Sequence, residues 1–166
     1  EHAMKSGIGT CGIQVGDLQV AAIVAVNACG NVVDYETNEL LAGVYDSHSG
    51  SVLKAQDVLF QQMDALRKLP EGNTTIGCFV TNAKLDKAQC TKIAGIAHNG
   101  YARAIHPVHT MSDGDSIFVL SSGEVEVMAD AVGMLATEMM AKAIKRAVLH
   151  AESAYGLPAH SDVICK

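Results

Sequence analysis

The apolar positions of this chain fall into blocks with two different periods. Leu18–Ala28 is an almost continuous apolar run carrying Val20, Ile23, Val24 and Val26, the pattern of a strand buried on both faces. Cys29-Gly30-Asn31 is a turn signal, and Val32–Tyr35 predicts a returning strand, so the two form a hairpin. Tyr45–Ser51 is polar and rich in Gly and Ser, a loop. From Lys54 to Lys68 the apolar residues Val58, Leu59, Met63 and Leu66 recur at helical spacing, and Pro70 and Gly72 stop the helix. Thr74–Thr81 (TTIGCFVT) is β-branched and predicts a strand. Asp86 offers an N-cap to a helix reaching about Ala104, with Ile93, Ile96, Ala97 and Tyr101 on one face. Asp115–Ser121 predicts a strand. Glu124–Tyr155 predicts a long, broadly apolar helix with Lys142, Lys145 and Arg146 toward its C-terminal half, where the helix dipole favours cations. The element order, opening on a hairpin, predicts one layered α/β or α+β domain with a mixed sheet.

Composition narrows the class. Hydrophobic residues make up 49% and charged residues 18% of the 166, which excludes a disordered chain. The longest apolar stretch, Leu18–Val33, is broken by Gln19, Asn27, Gly30 and Asn31 and falls short of the roughly 20 residues of a membrane span. A net charge of −6 without a basic stripe argues against nucleic acid or an anionic membrane as partner. The five cysteines are odd in number and contain no C-x-x-C pair, which argues against a disulfide framework or zinc site and for a cytoplasmic location. Low charge with many Ala, Gly and Met residues predicts a homo-oligomer. Met134, Met139 and Met140 exceed what one core face absorbs, which places the interface on the long helix or a sheet edge. The opening Glu1-His2-Ala3-Met4 reads as a start inside something larger.

Conventional motifs implying a cofactor or metal are missing. Gly7-x-Gly9-x-x-Gly12 does not follow a predicted strand, so it is a poor dinucleotide fingerprint. His106 and His109 lack an accompanying Cys or carboxylate pattern, and Pro107 sets them in a loop, so they read as solvated or capping residues. Asp113-Gly114-Asp115 lacks the further acidic positions of a calcium loop. Gly72-Asn73-Thr74-Thr75 precedes one predicted strand, however, and Asp113-Gly114-Asp115 opens the next. Each alone is an ordinary turn. Together, at adjacent strand starts, they would gather a hydroxyl and two carboxylates at one end of a sheet. A threonine hydroxyl needs a base beside it. One solution makes the threonine a chain terminus whose α-amine, which titrates at about 7.7–8.0 in an unperturbed setting, is that base.

The run NTTIGCFVTNAKLDKAQCTKIAGIAHNGYARAIHPVHTMSDGDSIFVLSSG (Asn73–Gly123) closely resembles the self-cleaving aminopeptidase family. That family holds L-aminopeptidase/D-esterase enzymes, β-aminopeptidases and nylon-oligomer hydrolases. KSGIGT (Lys5–Thr10) resembles its K-G-G-I-G-T element, and VAVNACGNVVD (Val24–Asp34) its V-x-V-N-x-x-G-x-V-x-D hairpin. The resemblance implies an αββα sandwich like that of N-terminal-nucleophile hydrolases and an amide hydrolase acting on peptides or amino-amides with a free amine. It implies self-cleavage between Asn73 and Thr74, leaving residues 1–73 as the end of an α segment and 74–166 as an associated β segment. Thr74 would be nucleophile and, through its new amine, base. Asn27 matches an oxyanion-stabilising Asn, Lys5 a Lys near the nucleophile, and Asp113 and Asp115 the acidic pair that positions it. An Asn amide has two donors to offer an oxyanion. A nearby Lys would lower the amine's pKa by like-charge repulsion. Family members also carry an upstream segment with more of the sheet, part of the pocket and a Tyr near the oxyanion. Two other readings stand beside this one: an acyltransferase of the ornithine acetyltransferase type, and an uncleaved, non-catalytic homologue.

Overall fold

The computed structural model describes residues 3–61 and 72–164. Along them run β1 (Ile8–Val15), β2 (Leu18–Ala25), β3 (Asn31–Val33), β4 (Leu40–Ala42), β5 (Val44–Asp46), β6 (Ser51–Leu53) and α1 (Ala55–Gln61). They are followed by β7 (Ile76–Ala83), α2 (Lys87–Ala104), β8 (Ile105–His106), β9 (Ser116–Val125), α3 (Ala129–Leu149) and α4 (His160–Val163). The main sheet has the order β1-β2-β7-β9. Its first two pairings are antiparallel and the last, β7 with β9, is parallel, so the sheet is mixed as the sequence predicts.

The expected hairpin between Leu18–Ala28 and Val32–Tyr35 does not form. β2 turns back instead onto β1 through Gly16, whose φ of 60° suits the tight turn. The strand β3 leaves this sheet and pairs with β4 and β8. Asn31 supplies the physical reason. It is buried, its Nδ2 donates to the Leu53 carbonyl at 2.8 Å, and its Oδ1 accepts the Ala55 N–H at 2.5 Å, tying β3 to the end of β6 and the start of α1. The strand β1 is hidden in the sequence by its glycines. Gly9 is required by contact, because a Cβ there would lie 2.0 Å from the Ala143 carbonyl of α3.

The helix α2 begins where predicted. Asp86 accepts the Gln89 N–H at 2.7 Å, and the Gln89 side chain accepts the Asp86 N–H at 2.9 Å, a complete capping box. The helix α3 is shorter than the predicted Glu124–Tyr155, since Glu124 and Val125 still belong to β9. The predicted helix Lys54–Lys68 appears as α1, and its remainder lies outside the described residues. α3 packs across β1 and β2, while α2 packs on β9 and along α3. Between helices and sheet lie Val20, Val24, Phe79, Tyr101, Met140 and Ile144, all buried. Each contributes roughly 1.5–3 kcal/mol of transfer free energy.

Among the described residues this core is one helix layer on one sheet layer. The far face of the sheet carries Ile23, Ile76, Val80, Phe118 and Leu120, with Phe118 60% and Leu120 59% exposed. The strand β2 is therefore covered on one face only, against the expectation of two. Most of the methionine surface of α3 is absorbed within the chain. Met139 and Met140 are buried within the chain, because the sheet and α2 cover two sides of the helix, and Met134 alone of the three is exposed.

Candidate active site

Because β7 and β9 are parallel, their N-terminal ends lie at the same end of the sheet. The residues just before them, Asn73–Thr75 and Asp113–Asp115, run side by side, with a parallel bridge between Asn73 and Asp113. The Ser116 N–H donates to the Thr75 carbonyl at 3.1 Å. β2 runs antiparallel to β7, so its exit meets the same point, where the Asn27 carbonyl accepts the Thr74 N–H at 3.0 Å. Three stretches far apart in sequence thus converge on the Asn73–Thr74 peptide.

The carbonyl of that peptide is held by two donors. The Gly114 N–H approaches the Asn73 oxygen at 2.9 Å, and the Thr74 hydroxyl donates to it at 2.7 Å. Gly114 leaves the hydroxyl its space, since a Cβ on Gly114 would stand 2.7 Å from Thr74 Oγ1. A carbonyl polarised by a fixed N–H, with a hydroxyl beside it, has the elements of a nucleophilic attack on the preceding peptide bond.

The two carboxylates do different work. Asp115 is deep, with its side chain only 5% exposed. Its Oδ1 accepts the Thr75 N–H at 2.9 Å and its Oδ2 faces His109 Nδ1 at 3.2 Å. Asp113 turns away from Thr74, its Oδ2 accepting both the N–H and the hydroxyl of Thr110 at 2.8 Å, which closes the loop before β9. Lys5 is not brought to the carboxylates. Its Nζ donates to the Ser6 carbonyl at 2.6 Å, and among the described residues it forms no ion pair with Asp113 or Asp115. Ser6 in turn donates to the Val26 carbonyl at 2.6 Å, so Lys5 is anchored beside the β2 exit. The Asn27 side chain is exposed and makes no hydrogen bond among the described residues; only its backbone touches Thr74.

Sequence reasoning missed several participants. His109, expected to be solvated or capping, has its Nδ1 3.2 Å from Asp115 Oδ2, close enough for an ion pair when protonated but without a hydrogen bond. Its ring lies against His98 and Tyr101, with centroids 4.9 Å and 6.3 Å away. Burial lowers the His98 pKa, the nearby His109 adds to this, and Asp115 opposes it. Tyr101 is fully buried, and burial pushes its hydroxyl pKa well up, with the Asp115 charge adding to the shift. Cys29 is half-buried beside Asn73. Burial raises its thiol pKa, with the Asp113 charge adding, while a hydrogen bond with the Asn73 side chain opposes the rise. The six-residue spacing from His109 to Asp115 is a signal only once the loop before β9 is known to fold back on itself. The Gly114 N–H has no sequence signal of its own.

The site thus combines a mixed sheet with helices on one face and, at its strand ends, a hydroxyl held against a peptide carbonyl. The family profile of peptidase family S58 matches residues 1–161, and the chain belongs to that family. It is 36% identical to an uncharacterized aminopeptidase of Mycobacterium bovis over an alignment of 186 residues, covering 97% of this chain and 53% of that protein. It is 29% identical to a 6-aminohexanoate-oligomer endohydrolase of Paenarthrobacter ureafaciens over 159 residues, covering 86% and 44%. The chain spans about half the length of the curated relatives it matches. Among solved structures it resembles the L-aminopeptidase D-Ala-esterase/amidase of Ochrobactrum anthropi, described as a variant of the Ntn-hydrolase fold. There the TM-score is 0.61 at 18% identity, covering 95% of this chain and 44% of that one. It also resembles a Burkholderia sp. β-aminopeptidase, with a TM-score of 0.54 at 23% identity, covering 89% and 42%. These likenesses establish an Ntn-hydrolase-type fold. The described residues supply one sheet and one helix layer of the αββα sandwich expected from the sequence. No helix among the described residues is long and apolar enough to cross a membrane.

Proposed function

We propose that the protein is an amide hydrolase that cuts its own chain between Asn73 and Thr74 and then uses Thr74 as an N-terminal nucleophile. The observation that carries this reading is the Asn73 carbonyl, held by the Gly114 N–H at 2.9 Å with the Thr74 hydroxyl 2.7 Å from the same oxygen. Thr74 Oγ attacks the Asn73 carbonyl carbon, and its proton is carried by a base to the Thr74 nitrogen, which leaves as the amine. The C–N bond then breaks, leaving Asn73 esterified to the Thr74 oxygen and the Thr74 amine free. Water hydrolyses the ester, giving residues 1–73 a new carboxylate end and residues 74–166 a free N-terminal threonine.

In turnover the same oxygen attacks a substrate amide, the α-amine takes the hydroxyl proton and passes it to the leaving amine, and water then hydrolyses the acyl ester to release the acid and restore the Thr74 hydroxyl. Asp115 fixes the backbone of Thr75 and so the position of Thr74, and His109 holds Asp115 in place. Asp113 fixes the loop that presents Gly114. The free Asn27 amide is a second donor available to the oxyanion once cleavage loosens Thr74. Lys5, anchored beside the β2 exit, contributes positive charge near the new amine. The names of the relatives, aminopeptidase and aminohexanoate-oligomer hydrolase, support substrates that are short peptides or amino-amides with a free amine. Both segments stay associated through the strands of the main sheet, since β1 and β2 precede the cut and β7 and β9 follow it.

The test is the intact mass of the full-length protein and its T74A variant. The wild type is expected as two pieces parted at Asn73–Thr74, and T74A as one inactive chain. Cleavage or amide hydrolysis surviving in T74A refutes the assignment.

A further inference from the structure

The uncut chain places its own residue 73 where a substrate would have to sit. If Thr74 Oγ is the nucleophile in both reactions, the carbonyl carbon of a substrate must come to the position now held by the Asn73 carbonyl carbon. Its oxygen must reach the same Gly114 N–H. The residue carrying that carbonyl then projects its side chain where the Asn73 side chain now projects.

Asn73 lines a cavity of about 280 Å³ walled by Ala28, Cys29, Gly30, Val32, Gly43 and Val44. Its side chain meets the Cys29 thiol there. We propose that this cavity is the acyl-side subsite of the enzyme and that it accepts one small, uncharged side chain. The inference rests on the reading of Thr74 as nucleophile.

Three features support it. The part of the cavity formed by the described residues lies below the roughly 300–1,000 Å³ of sites that enclose a whole ligand, a size that suits one side chain. Every described residue lining it is uncharged, so a Lys or Glu side chain would enter without a partner. The Cys29 thiol meets the Asn73 side chain, and because that hydrogen bond lowers the thiol pKa against burial and the Asp113 charge, the sulfur acts as a weak acceptor suited to a neutral donor.

Self-cleavage supplies the readout without any assumed substrate, because residue 73 is the acyl residue of that reaction. In the full-length protein, cleavage is followed by gel and intact mass for Asn73→Ala, Asn73→Val, Asn73→Lys and Asn73→Glu. The Ala and Val variants are expected within about tenfold of wild type, and the Lys and Glu variants slower by about 10–200-fold, the range by which a misfitting group is discriminated. Adding Cys29→Asp places a carboxylate in the pocket and should speed Asn73→Lys by at least about tenfold while leaving Asn73→Glu slow. T74A is run in parallel and must remain uncut. Charged variants that cleave like Asn73→Ala, or a Cys29→Asp change that affects Lys and Glu alike, overturn the subsite while T74A still upholds the nucleophile. Cleavage in T74A overturns both.

Discussion

Replacing Gly114 by Ala tests the geometry of attack with one methyl group. A Cβ at this position would stand 2.7 Å from Thr74 Oγ1, whereas ordinary van der Waals contact begins at 3.4 Å. The oxygen must therefore retreat by about 0.7 Å (3.4 − 2.7). The retreat is inexpensive for the fold, because the displaced atom ends a short side chain that can rotate. Gly114 is exposed and is not among the glycines with a left-handed φ, so the backbone accepts alanine. Stability should change by no more than about 0.5 kcal/mol. Chemistry is less tolerant, since a misplacement of about 1 Å can cost on the order of 10²-fold in rate. The expected slowing is about 10- to 100-fold, or about 1.4–2.7 kcal/mol of barrier. The Gly114 N–H survives the substitution, so the loss is assignable to the hydroxyl alone. The assay is a time course of Asn73–Thr74 cleavage by gel and intact mass, paired with urea denaturation. Wild-type cleavage in a folded G114A protein would refute the claim that the observed hydroxyl position is the reactive one.

Two further substitutions separate positioning from packing. His109→Phe keeps a ring against His98 and Tyr101 but removes the imidazole nitrogen 3.2 Å from Asp115 Oδ2, a buried oxygen that makes no hydrogen bond among the described residues. Because His109 is 38% exposed, the loss should be about 1–2 kcal/mol rather than the roughly 3–5 of a fully buried pair, with cleavage slowed about tenfold or more. His109→Gln, which can still donate to the carboxylate, should recover part of the rate, and equal rates in the two variants would count against the pairing. Gly9→Ala drives a Cβ to 2.0 Å from the Ala143 carbonyl and should destabilise the protein by about 1–3 kcal/mol, read as a lower urea midpoint. An unchanged midpoint would show that β1 and α3 can separate freely.

Local signals in the sequence determined the elements whose causes are local. The Asp86 cap with Gln89 three residues on, the β-branched TTIGCFVT run and the apolar periodicity before Arg103 all appear in the structure close to where the pattern puts them. The residues the family motifs single out, Asn27, Asn73, Thr74, Asp113 and Asp115, lie together at one end of the sheet, whereas Lys5 is held on the Ser6 carbonyl instead of on the carboxylates. Pairing partners were not legible, because strand pairing is decided by contacts far apart in the chain. No element is predicted over β1, which forms where α3 lies against Gly9, and β3, predicted as the return of a hairpin, is tied by Asn31 to Leu53 and Ala55. Which face of β2 is covered among the described residues has the same origin, since an apolar residue does not encode which face will be covered. At the site itself the sequence names side chains, whereas the Gly114 N–H on the Asn73 oxygen and the His109 ring on Asp115 arise only when β7 and β9 run parallel. Residue type supplies the chemistry, but the direction in which a backbone N–H or a carboxylate oxygen points is a property of the assembled sheet.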